Sequence, residues 1–160
     1  MNKKGFTLME LLVVVILVAI LAGIAMPQYF NAVERQRSVE AVGILTSIEK
    51  SQMRYAAINE QYASDFSDLD VDLKSSTSGD NVTGAQFTTD YFTYTLTNAN
   101  VTALRSSGNY SIILTYSPAN SDTGYRTICC EPSNDTPDIC DIINIKTEAE
   151  GCKNSSTFSN

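Results

Sequence analysis

Histidine is absent from all 160 residues. The commonest general base and the usual zinc ligand are therefore missing. A nucleophile activated by imidazole cannot be assembled, and only Ser/Lys chemistry stays formally open. No glycine-rich phosphate loop occurs either. Basic residues are scarce: 11 Lys and Arg stand against 18 Asp and Glu, a formal charge of −7. Such a chain repels nucleic acid in bulk, and Arg35 and Arg37 are almost all it offers as a basic patch. The expectation is a protein that is not an enzyme, carries no cofactor and has no indicated nucleic-acid partner.

Cysteine is also sparse, and it is confined to the end of the chain. The four are Cys129, Cys130, Cys140 and Cys152. Without a Cys-x-x-Cys spacing they make a poor zinc cluster, so no metal site is assigned to them. An even count in a polar region beyond a hydrophobic segment fits disulfides formed in an oxidising compartment. Counting leaves three connectivities open.

What the chain does have is a concentrated apolar run. From Leu11 to Met26 there is no charged or polar side chain, while the remainder is rich in Ser, Thr, Asn and Asp. Phe6 to Met26 is 21 residues, which as a helix spans roughly 30 Å, the thickness of a bilayer core. The run is too long for a cleavable secretory signal, and no small-x-small site precedes Gly23–Ala25. Glu10 interrupts the reading. A carboxylate inside a bilayer is costly, so it marks a function or sits at the cytoplasmic edge and snorkels. Lys3 and Lys4 before the run are balanced by Arg35 and Arg37 after it, so charge bias barely sets the orientation.

The segment Lys3-Lys4-Gly5-Phe6-Thr7-Leu8-Met9-Glu10-Leu11-Leu12 resembles the class III signal of type IV prepilins and secretion pseudopilins. Several consequences are implied by that resemblance. Residues 1–5 are a leader that a prepilin peptidase removes by cutting between Gly5 and Phe6, and Phe6 is then N-methylated. Residues 6–27 form the membrane and filament-core helix, kinked or locally unwound at Pro27. Residues 28–160 form a periplasmic or extracellular head. Glu10 falls at the fifth mature position, where its carboxylate neutralises the new amine of a neighbouring subunit, so neither charge is buried unpaired. The implied partners are further copies of the chain in a homopolymer, other pilins, the peptidase and an inner-membrane assembly platform. The implied location is the bacterial inner membrane, single-pass with a cytoplasmic N-terminus. After assembly it is a surface pilus or a periplasmic pseudopilus.

Beyond Pro27 the residues themselves carry the reading. Ala41, Ile44, Leu45, Ile48, Gln52, Tyr55 and Ile58 recur at spacings of three and four, a stripe for burial along a helix of about 28–58. Glu34, Arg35, Arg37, Glu40, Glu49, Lys50 and Arg54 lie mostly off it, and Glu34 with Arg37 suits an i,i+3 pair. Residues 59–85 read as a connection, with Leu69, Val71 and Leu73 alternating. Strands are expected within about 86–130. Phe92, Tyr94 and Leu96 share one face, and Tyr110, Ile112, Leu114 and Tyr116 share another. Tyr125–Cys130 makes a third strand, with Val101–Arg105 a short extra one. Asn98–Asn100, Ser107–Asn109 and Ser121–Gly124 carry turn chemistry. The fold class is α+β, a long N-terminal helix packed on an antiparallel sheet, which again resembles the pilin fold.

The tail carries the cysteines. Adjacent strand residues face opposite ways, so Cys129 and Cys130 each need a separate partner. Two disulfides are expected, joining them to Cys140 and Cys152, with Cys130–Cys140 the preferred pair. In pilins this region, here 129–152, is the disulfide-bounded C-terminal loop. Asp135, Asp138, Asp141, Glu148 and Glu150 offer oxygen ligands, but their spacing fits a solvated acidic surface better than a calcium site. The expected function is a structural subunit of a type IV pilus-like filament, with motility, adhesion or DNA uptake as downstream roles. The alternatives are a type II secretion pseudopilin and a minor tip pilin that binds a ligand.

Overall fold

One helix, α1, runs from Leu8 to Asn59. The computed structural model describes residues 5–75, 82, 84–116, 127–133 and 139–146. At 1.5 Å per residue, α1 is about 78 Å long. Thr7 caps its start, and Glu60 ends it in the left-handed conformation with its amide bonded to the Ala56 carbonyl. The helix is continuous through Pro27.

The five strands are β1 (Gln86–Thr88), β2 (Phe92–Leu96), β3 (Asn100–Arg105), β4 (Tyr110–Thr115) and β5 (Thr127–Pro132). They form one antiparallel sheet in chain order, each strand pairing with the next. A short helix, α2 (Ile139–Ile143), follows. The fold is therefore α+β, with the helix-on-sheet arrangement of a pilin.

The core lies between the second half of α1 and one face of the sheet. Ala41, Leu45, Ile48 and Gln52 are fully buried on the helix. Across the sheet, register aligns Phe87, Tyr94, Ala103, Ile112 and Cys130 in a single buried row. Leu96, Val101, Leu114 and Ile128 make a second. Phe87 stacks on Tyr94 with centroids 4.6 Å apart. Small residues, Ala41 on the helix and Ala103 on the sheet, share this core with the bulky rings. The buried Gln52 amide spans the loop after the helix, donating to the Ala63 carbonyl and accepting from its N–H, both at 2.8 Å.

Three expectations need correction. Ile58 is 82% exposed: the buried stripe of α1 ends at Ala56, one turn short of the end of the helix. Glu49 is buried rather than on the solvated side. Val101–Arg105 belongs to β3, the central strand, and not to a minor extra one. The pleat there turns Leu104 outward at 48% exposure and Arg105 inward at 8%, against their hydropathy. The Tyr125 start and the Ser121–Gly124 turn lie outside the described residues, and β5 is described from Thr127.

Candidate functional site

Two constellations stand out, one at the tip of α1 and one where the helix enters the head. At the tip, Gly5 and Phe6 are exposed ahead of the helix. The Thr7 hydroxyl accepts a hydrogen bond from the Glu10 N–H at 3.2 Å. In return Glu10 Oε2 accepts from the Thr7 N–H at 3.0 Å and from its hydroxyl at 2.8 Å. This reciprocal capping box satisfies two orphan amides of the helix start. The Thr-x-x-Glu spacing at positions 7–10 signals it in the sequence, although Thr7 was not singled out there. The Glu10 carboxylate is thus held at a fixed place beside the chain start, exposed and able to accept further hydrogen bonds from a cation. From Leu8 to Phe30 every side chain of α1 is exposed, and the helix is long and apolar enough to cross a membrane.

Where α1 meets the sheet, Glu34 collects three partners. Its Oε1 accepts from Arg105 Nε at 2.6 Å and from the Tyr110 hydroxyl at 2.9 Å, and its Oε2 from Arg37 Nη1 at 3.0 Å. The expected Glu34–Arg37 pair is present, but the larger ties are those to the sheet. Arg105 also donates to the Tyr91 carbonyl at 2.8 Å, and the Arg37 guanidinium lies 4.6 Å from the Tyr91 ring centre. Burial pushes the Glu34 pKa up, but hydrogen bonds from Arg105, Tyr110 and Arg37 outweigh it, and the net shift is downward. Burial, then the bond to Glu34, pushes the Tyr110 phenol up. Arg35 Nε donates to the Ile142 carbonyl at 3.0 Å and so joins α1 to α2.

The cysteines tie the end of the described chain to the sheet. Cys130 is bonded to Cys140 on α2, with Cα atoms 5.7 Å apart. Cys129 is also disulfide-bonded. In the β4–β5 register Cys130 opposes the buried Ile112 and Cys129 opposes Ile113, so the two thiols leave the strand on opposite faces. Cys152, with Asp135, Asp138, Glu148 and Glu150, lies outside the described residues; Asp141 sits on α2. Among the described residues no group of three or more His, Cys, Asp or Glu is placed to hold a metal ion.

Residues 1–26 match the family described as the prokaryotic N-terminal methylation motif. The chain is 38% identical over 63 residues to the type IV wide pilus major component PilA4 of Thermus thermophilus, covering 39% of this chain and 48% of that protein. It is 25% identical over 151 residues to a fimbrial protein of Neisseria meningitidis, covering 93% of this chain and 86% of the relative. The methylation motif at its start and these pilus relatives together support a type IV pilin. A type IV major fimbrial protein, FimA of Dichelobacter nodosus, is 44% identical over 54 residues, 34% of this chain and 31% of the relative. The matches to PilA4 and FimA thus span about half and about a third of those proteins, whereas the Neisseria match runs through most of this chain's head.

Proposed function

We propose that this chain is a type IV pilin, a structural subunit of a pilus-like filament. Its apolar half-helix holds it in the inner membrane, with the N-terminus in the cytoplasm. A prepilin peptidase cuts between Gly5 and Phe6, and the Phe6 amine is methylated. Subunits then leave the membrane by bundling their helices side by side, with Glu10 of each subunit paired to the Phe6 ammonium of a neighbour. Other pilins and an inner-membrane platform complete the machinery.

The observation that carries this reading is the exposed apolar half of α1, which leaves the head without touching it. A helix of that composition is insoluble alone in water. A bilayer covers it, and so does a bundle of identical helices, where close packing replaces lipid contacts. The relatives PilA4 and FimA are major pilus components, which favours a surface fibre over a secretion pseudopilus.

Mass spectrometry of filaments sheared from cells tests this directly. The chain should be a main component, and its N-terminal peptide should begin at methylated Phe6. Retention of Met1, or cleavage after Ala25, would sink the reading. Gly5→Val should leave uncut precursor in the membrane fraction.

A further inference from the structure

Two aromatic side chains follow the apolar run and serve no purpose inside the head. Tyr29 is 65% exposed and Phe30 is 62% exposed. Their rings meet edge to face with centroids 6.0 Å apart, forming one apolar knob with a phenol at its rim. The next ionisable residue along α1, Glu34, is turned into the head and bonded there. Tyrosine prefers the membrane–water interface, where its ring meets acyl chains and its hydroxyl meets headgroups and water.

Distance along the helix gives the pair a definite level. Phe30 lies twenty residues after Glu10, which is about 30 Å of helix, matching the hydrocarbon thickness of a bilayer. Hydropathy alone would centre Phe6–Met26 in the bilayer, with Ile16 at the midplane. That placement sinks the Glu10 carboxylate about 6 Å into hydrocarbon and lifts both rings about 5 Å beyond its far edge, into the outer headgroup layer and away from the acyl chains, unfavourable at each end. Moving the helix by four residues, with Ile20 at the midplane, puts carboxylate and rings at the two boundaries together.

We infer that Tyr29 and Phe30 anchor the subunit at the outer lipid interface and thereby hold Glu10 at the inner boundary of the hydrocarbon. The inference rests on the membrane insertion proposed above. Its occupant is the headgroup layer of a phospholipid bilayer. The anchor fixes the depth at which a subunit waits and presents its carboxylate near the cytoplasmic surface.

The chain has no tryptophan, so single Trp residues report depth cleanly. The full chain carrying Ile16→Trp, Ile20→Trp or Phe30→Trp is reconstituted in phosphatidylcholine–phosphatidylglycerol vesicles with bromines at set depths along the acyl chains. Ile20→Trp should be quenched most by the deepest bromines, at least twofold more than by shallow ones. Phe30→Trp should show the reverse order. Adding Tyr29→Ser and Phe30→Ser to the Ile16→Trp and Ile20→Trp chains should pass the deepest position from residue 20 to residue 16. Neither change touches the head, so folding is not at issue. A deeper Trp at 16 than at 20 with the aromatic pair intact overturns the anchor, as does an unchanged depth once the pair is removed. In both cases membrane insertion stands. If Trp at neither 16 nor 20 is quenched at any depth, insertion itself is refuted and the anchor falls with it.

Discussion

The Glu34 carboxylate on the long helix lies 2.6 Å from Arg105 Nε on the central strand, bridging 71 positions of sequence. This pair, with Tyr110 beside it, joins the first element of the chain to the middle of its sheet. Arg105 is the strand residue turned inward where hydropathy would place Leu104, and Glu34 is the reason its charge is tolerated there. A buried guanidinium without a counter-charge is strongly destabilising.

Replacing Glu34 by Gln should therefore cost about 3 kcal/mol, the lower end for breaking a buried pair, since Glu34 keeps some solvent contact. Tyr110→Phe, which removes only the hydroxyl, should cost less. Urea denaturation of the detergent-solubilised chain at pH 7 measures both. The Glu34 pKa is lowered in the fold, so its contribution is complete above the ordinary glutamate value of 4.5 and is lost as pH falls below it. The gap between wild type and Glu34→Gln should narrow steadily below that pH. Equal stability of the two at pH 7 would refute the role given to the pair.

Asp70 offers a separate pH test. Its carboxylate accepts from Arg54 Nε and Nη2, each at 2.6 Å, and from the Ser51 hydroxyl. These bonds, the Arg54 ones first, lower its pKa from 3.8 to about 2. The NMR titration midpoint of Asp70 should fall near that value, and Arg54→Ala should return it towards the ordinary carboxylate range. Because both groups are largely exposed, the same substitution should move stability very little.

The cysteines predict a thiol count. Removing Cys130–Cys140 by double substitution to Ser opens a loop with a sequence separation of 10, worth about 2–3 kcal/mol in the chain-entropy account. Cys129 is disulfide-bonded as well, and the expectation is that Cys152 is its partner. The double variant should therefore contain no free thiol, and peptide mapping should find Cys129 joined to Cys152. Two titratable thiols in that variant would disprove this pairing.

Glu10→Leu separates assembly from folding. Glu10 touches only Thr7 and lies far from the head, so head stability and membrane insertion should be unchanged. Incorporation into sheared filaments should fall by roughly two orders of magnitude, because the neighbour's ammonium would be buried without its counter-charge. Normal filaments built from the mutant chain alone would show that Glu10 is only an interfacial residue.

Much of the architecture was legible because it rests on periodicity. The 3.6-residue stripe from Ala41 to Gln52 and the alternation in β2 and β4 each have one dominant buried face. The central strand was undervalued because its inward residues are Val101, Ala103 and Arg105. A strand read by hydropathy loses its pattern when small and charged residues face the core. Arg105 and Glu34 identify each other only once the chain has folded. Ile58 differs for another reason: periodicity continues to the end of a helix whether or not its last turn is buried, and here burial stops at Ala56. The tip is legible as a linear motif, and the Thr7–Glu10 capping box is a second, local property of the same residues that the membrane reading of Glu10 does not require.

The continuity of α1 has a mechanical consequence. The same helix is the rod and the spine of the head, so no slack linker separates them, and a pull on the head loads the rod at once. The compliance left along that line is at Pro27, whose missing N–H removes one rung of the helical ladder, the bond to the Gly23 carbonyl. It lies seven residues before the first tie to the sheet at Glu34. Flexure there would tilt the head as a unit and leave the packing of Leu45 and Ile48 untouched. A fibre made of such parts bends at its shaft and keeps its surface units intact under strain.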